Sequence, residues 1–153
     1  MADEASERIR VEATPEACFE AVADFERYPQ WATDVQRAEI TDKDADGRGS
    51  RVRYEVSAMG LTIGYELEYD YGAAPGVLSW HLVESDMLRR LDGSYRFDPV
   101  RGGEAGTVTA VTYRLLVDLA LPLPGFLKKK AAEMITHNAM REFKRYVEGR
   151  SRC

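Results

Sequence analysis

Leu123 to Glu148 reads LPGFLKKKAAEMITHNAMREFKRYVE, the longest regular stretch of the chain and the one whose period decides the fold. Leu127, Ala131, Met134, Ile135, Asn138, Ala139, Glu142 and Tyr146 recur at steps of three, four or one, so one helical face gathers them. Lys128, Lys129, Lys130, Glu133, Met140, Arg141, Lys144 and Arg145 fall mostly on the other side. Between residues 35 and 118 the hydrophobic period is two instead. One amphipathic helix after a run of strands predicts an α+β fold, with the helix laid against the concave face of a curved antiparallel sheet.

The strands and short helices follow from local pattern. Glu7–Glu12 alternates as a first strand. Thr14-Pro15-Glu16 predicts a helix start, with Thr14 as N-cap and Pro15 in the first turn, running to about Ala23. Asp24 opens a second short helix through Tyr28, ended by Pro29, and Trp31 follows in a loop. Strands are expected at Gln36–Asp42, Arg51–Ala58, Leu61–Tyr71, Val77–Ser85, Arg89–Asp98 and Thr107–Asp118. The connections are the polar turn Lys43–Gly49, Met59-Gly60, Gly72–Gly76 and a Gly-rich loop Pro99–Gly106. Gly93 inside a strand predicts a bulge or bend.

Totals exclude several function classes. A chain of 153 residues with 44% hydrophobic and 31% charged residues is read as one globular domain, 1–153, with frayed ends at 1–5 and 149–153. No window approaches the ~20 apolar residues of a bilayer span. The acidic start lacks a signal peptide's basic and apolar regions, which places the protein in the cytoplasm. Cys18 and Cys153 make no disulfide framework, and with His81 and His137 they show no zinc-site spacing, so no metal and no cofactor are expected. Net charge is −5, but residues 126–153 carry eight Lys/Arg against three Glu. An acidic chain with one basic helix does not have the footprint of a nucleic-acid binder.

The inward positions are unlike an ordinary core. Tyr54, Tyr65, Tyr69, Tyr95, Tyr113 and Trp80 share the inner face with Val56, Leu67, Leu82 and Leu115. A buried phenol needs a partner for its hydroxyl, and so many rings overfill the gap to one helix unless the sheet curves strongly. Two readings are open: an apolar cavity carrying polar handles, or a solid core with hydroxyls reaching water at the sheet ends. Asn138, central on the apolar helix face, needs either a protein partner or a wet pocket.

No catalytic motif stands out: there is no GxSxG, no strand-linked GxGxxG and no P-loop. Ser57, Ser79 and Ser94 have no histidine on their face, and His81 and His137 read as surface residues. Acid or base work inside a cavity would fall to Tyr54, Tyr65, Tyr95 or Tyr113, with Asn138 polarising a carbonyl; Arg89 and Arg90 are more distant candidates at a strand start. At the helix start, Leu121, Leu123, Phe126 and Leu127 adjoin Lys128-Lys129-Lys130, three cations that oppose the helix dipole. That apolar tip and basic cluster suit transient contact with an anionic membrane or an acyl carrier, although a solvated helix face is the commoner origin of such a charge run.

Val11–Trp31, VEATPEACFEAVADFERYPQW, resembles the opening of the START-like (SRPBCC) superfamily, and Tyr28-Pro29-x-Trp31 and Leu121-Pro-Leu-Pro-Gly125 also suit it. More narrowly the chain is similar to polyketide cyclase/dehydrase and lipid-transport proteins, which include coenzyme Q-binding relatives. The resemblance covers the whole chain and implies a helix-grip fold with a deep hydrophobic cavity between sheet and terminal helix. The ligand-binding set is then Trp31, Tyr54, Val56, Tyr65, Leu67, Tyr69, Trp80, Leu82, Tyr95, Tyr113, Leu115, Met134 and Asn138. The expected function is binding, with transport, of a lipid, isoprenoid quinone or polyketide. The alternative is an aromatase/cyclase-like enzyme working in the same cavity, mainly by holding its substrate in a reactive shape. The binding protein without catalysis is the favoured of the two.

Overall fold

The alternating segments form strands whose ends lie within a few residues of the sequence reading. The computed structural model describes residues 2–58, 60–100 and 108–151. In chain order it contains β1 (Asp3–Val11), α1 (Pro15–Ala23), a 3₁₀ helix (Phe25–Gln30), β2 (Val35–Lys43), β3 (Gly49–Ala58), β4 (Leu61–Asp70), β5 (Val77–Ser85), β6 (Leu88–Pro99), β7 (Thr109–Leu119) and α2 (Gly125–Ser151). The seven strands make one antiparallel sheet in the order β1-β7-β6-β5-β4-β3-β2. Met59, most of the expected Gly-rich loop (101–107) and the terminal Cys153 lie outside the described residues.

β2 to β7 follow one another as a meander, but β1 pairs with β7, from Asp3↔Val117 to Val11↔Thr109. The strand therefore starts earlier than Glu7. Asp3 and Ala5, expected in a frayed end, are held in the ladder, and Ala5 is buried. Between β1 and β2 the chain crosses the sheet through α1 and the 3₁₀ helix. Thr14 caps α1 as predicted, its hydroxyl accepting from Ala17 N at 3.1 Å. Asp24 makes no such cap; it pairs with Arg27 at 3.0 Å. Pro29 lies inside the 3₁₀ helix rather than ending it, because so short a coil asks for few N–H donors.

Pairing irregularities at Val35/Arg37, Ile40/Asp42, Glu66/Leu67 and Leu88/Arg90 supply the bends of the sheet. Gly93 is not among them. It pairs with Leu115 in an unbroken stretch of the β6–β7 ladder and, opposite Trp80, is the last β6 residue paired with β5. Its bare backbone makes room for the Trp80 indole: a Cβ there would sit 2.4 Å from Trp80 Cζ2 and 2.8 Å from the Arg114 carbonyl oxygen. Glycine is required here for close approach, not for a bulge.

α2 binds the sheet through a face the sequence reading missed. Ala132, Thr136, Met140, Phe143 and Val147 are buried, and Met140 and Phe143 are fully so. They are spaced 4, 4, 3 and 4, a regular helical stripe that packs chiefly toward β1 and β7. Met140, assigned to the outer side, is thus core. Lys144 fixes the same end, its Nζ donating to Arg10 O at 2.6 Å and to Glu148 Oε2 at 2.7 Å, while Glu12 N donates to that carboxylate at 2.9 Å.

Gly93→Ala is expected to destabilise the fold by at least about 2 kcal/mol, because a backbone carbonyl on one side and a caged indole on the other cannot both yield. Denaturant unfolding measures it. A loss under about 0.5 kcal/mol would mean that Trp80 is free to move away.

Candidate functional site

The residues beside the packed stripe on α2 face an open space. Ile135, Asn138, Ala139 and Glu142 form one wall, strands β3 to β7 supply most of the rest, and Tyr28, Trp31, Ala32, Asp34 and Val35 complete it. The cavity measures about 190 Å³, an order of magnitude beyond the ~10–15 Å³ that one water needs. The helix therefore does not rest on the sheet's rings along its whole length, and the solid-core reading is set aside.

Of the thirteen residues assigned to the wall from sequence, Trp31, Tyr54, Val56, Tyr65, Leu67, Tyr69, Trp80, Tyr95, Tyr113, Leu115 and Asn138 line this cavity. Leu82 and Met134 do not. Leu82 pairs with Leu67 just past the β4–β5 irregularity and packs against the core from a half-buried position. Met134 is 55% exposed, because the helix is rotated toward its Met140–Phe143 stripe. Sequence reasoning missed Tyr28, Ala32, Asp34, Ser57, Ala139 and Glu142 as lining residues. Ala139 and Glu142 were on the predicted helix face, so spacing alone sufficed to find them. Asp34 and Ser57 meet at the end of β3, where Ser57 N donates to Asp34 O at 2.8 Å, and no local pattern announces that pairing.

The aromatic wall holds itself together. Trp80 lies 5.9 Å from Tyr69, 5.4 Å from Tyr95 and 5.8 Å from Tyr113, centroid to centroid. Tyr95 and Tyr113 meet edge to face at 4.9 Å. The family-like Tyr28-Pro29-x-Trp31 element closes one side. Tyr28 donates to Val22 O at 2.5 Å, and Trp31 stacks on Tyr146 of α2 at 5.4 Å and 15°. Thr33 joins the same segment to α2, its backbone N and hydroxyl both donating to the Glu142 carboxylate. Arg89 and Arg90 lie outside the cavity, on Asp118 at 3.8 Å and Asp92 at 2.6 Å. His81 and His137 are on the surface with Glu68 and Glu7.

Charge is scarce on this wall: the ionic side chains that line it are Asp34 and Glu142. Burial pushes the phenols of Tyr28, Tyr54, Tyr65, Tyr69, Tyr95 and Tyr113 well above their ordinary range. Such groups are neutral hydrogen-bond donors and poor bases. Tyr54 and Tyr69 share one hydrogen bond at 2.6 Å. The Trp31 indole N–H is enclosed and meets no acceptor among the described residues. No group of three or more His, Cys, Asp or Glu among the described residues is placed to hold a metal ion, and no helix there is long and apolar enough to cross a membrane.

Comparisons with known proteins agree with this architecture. A family model described as polyketide cyclase/dehydrase and lipid transport matches residues 2–148. A START superfamily protein from Mycobacterium smegmatis is 25% identical, with a TM-score of 0.81 over 96% of this chain and 95% of its own. The Zhui aromatase/cyclase from Streptomyces sp. R1128 is 14% identical and superimposes with a TM-score of 0.83 over 99% of this chain and 96% of its own, a likeness of fold. Among curated protein sequences none matches the chain.

The raised phenol values carry a pH dependence. A group that is neutral and buried in the folded state, with its folded pKa above the unfolded ~10, contributes stability that is complete below pH ~10 and is lost as pH rises through the folded value. For Tyr71 that value is about 12. Stability is therefore expected to fall progressively above about pH 10, with the 295 nm tyrosinate absorbance of the buried rings appearing together with unfolding. Full titration near pH 10 with the fold intact would show that the rings are solvated.

Proposed function

The chain belongs to the polyketide cyclase/dehydrase and lipid-transport family, and from that premise we propose that it binds and carries a hydrophobic small molecule in the space between sheet and α2. The ligand chemistry is that of a lipid, an isoprenoid quinone or a polyketide, and the site of action is the cytoplasm. The observation that carries the reading is the cavity itself, walled by apolar and aromatic side chains with a few inward polar atoms. An ordinary core of these residues would have collapsed onto the helix, since each unfilled ångström forfeits dispersion energy.

A cyclase acting in the same space is the second reading. It draws on the inward phenols and on Asn138, which lines the cavity without a protein hydrogen-bond partner among the described residues. Neutral phenols orient and polarise a carbonyl chain, but their raised values keep the phenolate, the form that would accept a proton, scarce at neutral pH. Carriage asks nothing of them beyond hydrogen bonding, so it is the better supported of the two.

Filling the space tests the binding reading. Ala139→Phe places a ring in the cavity from the helix side and is expected to weaken binding of a lipophilic dye such as Nile red at least tenfold, with little change in thermal stability. Native mass spectrometry of the protein from cells should show a bound mass in the wild type that the variant lacks. Equal dye binding by both proteins would place the dye elsewhere and remove the proposal.

Loading requires the ligand to leave a membrane or a carrier, and the start of α2 is suited to the first. Phe126 is 73% exposed, and Leu127, Met134 and Ile135 are exposed beside it, Ile135 being also part of the cavity wall. Lys129 and Lys130 project from the same turns, while Lys128 is tied down, its Nζ donating to Leu119 O at 3.0 Å. Each lysine near an anionic surface contributes about 1 kcal/mol. Lys129→Glu with Lys130→Glu is therefore expected to cut co-sedimentation with phosphatidylserine vesicles at least tenfold. Wild-type protein that ignores such vesicles would leave an acidic carrier protein as the partner to test.

A further inference from the structure

Counting phenol hydroxyls against partners divides the cavity tyrosines into two sets. Tyr28 donates to Val22 O, and Tyr54 and Tyr69 share a bond. Tyr65, Tyr95 and Tyr113 also line the cavity, and none of their hydroxyls has a hydrogen-bond partner among the described residues. Tyr95 and Tyr113 are only 5% and 7% exposed as residues, yet their hydroxyls are not among the fully enclosed unpartnered atoms, so they open onto the cavity's own space. They are register partners on β6 and β7 with rings 4.9 Å apart, whereas Tyr65 stands on β4 opposite Ser85, at the other end of β5 from the Leu78 that pairs with Tyr95. A hydroxyl that borders the cavity without a protein partner is satisfied only by what occupies that space, so the Tyr95 and Tyr113 tips call for a polar occupant there. Water serves when the site is empty; a ligand that displaces it must offer hydrogen-bonding atoms of its own or lose affinity.

The charge on the wall narrows that occupant further. No Lys, Arg or His lines the cavity, and its two ionic groups, Asp34 and Glu142, are both acids. A carboxylate or phosphate would lie without a counter-ion in a site of low polarity and face like charges near the opening, where Asp34 is exposed. A quaternary ammonium would need open ring faces, yet Trp80, Tyr95 and Tyr113 are packed against one another.

Building on the binding function proposed above, we propose that the cavity selects an uncharged apolar ligand bearing a carbonyl-type acceptor oxygen at the end that meets Tyr95 and Tyr113, in preference to both a hydrocarbon and a carboxylate of the same shape. The two phenols donate to that oxygen, one to each lone pair, in place of water. Selectivity then resides in neutral donors, not in a salt bridge.

Three probes on one skeleton test this: 2-acetonaphthone, 2-ethylnaphthalene and 2-naphthoate, each measured by displacement of Nile red at pH 8. The ketone is expected to bind roughly three- to tenfold more tightly than the hydrocarbon, the range a net neutral hydrogen bond allows. The naphthoate is expected to bind at least tenfold more weakly than the ketone. Tyr95→Phe with Tyr113→Phe should lower the ketone to the level of the hydrocarbon and leave the hydrocarbon within twofold of wild type. Should the double variant fail to fold by circular dichroism, Tyr113→Phe alone carries the same comparison. Equal affinities for ketone and hydrocarbon, tighter binding of naphthoate or of the N,N,N-trimethyl-2-naphthylammonium analogue, or an unchanged ratio in the Phe variants each overturn the selectivity. If Nile red binds and no naphthalene displaces it, the selectivity falls while the carrier reading stands; if neither dye nor probe binds, the carrier reading falls as well.

Discussion

A phenol is apolar along its ring and polar at one atom, and this chain places six of them around one interior. Their bodies pack well: Trp80 gathers Tyr69, Tyr95 and Tyr113 within 6 Å, and Tyr54 lies 5.4 Å from Tyr65. Their tips do not. Each hydroxyl needs a partner, and a seven-stranded sheet whose backbone groups are already spent on its own ladder has few to offer. Tyr28, Tyr54 and Tyr69 find partners within the protein; the other three tips face space that something polar can enter. The cavity is the structural consequence of that polarity, and the placement of α2 follows from it.

The helix is therefore held along two seams, with the cavity between them. Met140, Phe143 and Val147 pack it down toward β1 and β7, and the Lys144–Glu148 pair ties its last turns to the end of β1. Glu142 and Tyr146 form a second attachment, to Thr33 and Trp31 of the segment between the 3₁₀ helix and β2. Between these two lines of contact the helix spans the gap with Ile135, Asn138 and Ala139. Small and medium side chains at those positions keep the space open, whereas the bulky ones are kept for the seams.

Fold and wall were legible to different depths. Period-two alternation located every strand after the first helix pair, and Thr14-Pro15 located the start of α1, because these signals depend on neighbours in sequence. The same alternation brought nine of the expected wall residues to the cavity, and Trp31 and Asn138 reached it from the loop before β2 and from α2. The failures are on α2, where two apolar stripes overlap. The sequence reading took the Met134–Asn138–Glu142 face as the inner one and put Met140 outside, whereas Ala132–Thr136–Met140–Phe143–Val147 is the stripe that packs; amphipathicity does not say which is packed and which looks into a void. Gly93 failed for a related reason: a glycine in a strand has several uses, and only the indole of Trp80 lying against it shows which applies.

Element order, the antiparallel sheet and the concentration of tyrosines on one of its faces were readable from residue order alone, since all three rest on local periodicity and turn chemistry. Only the tertiary structure decided that β1 joins β7, that α2 turns Met140 and Phe143 toward the sheet, and that Asp34, Ser57 and Glu142 border the cavity. These are contacts between residues far apart in the chain. Their geometry is set by competition for the same interior, and no single segment carries a record of the result.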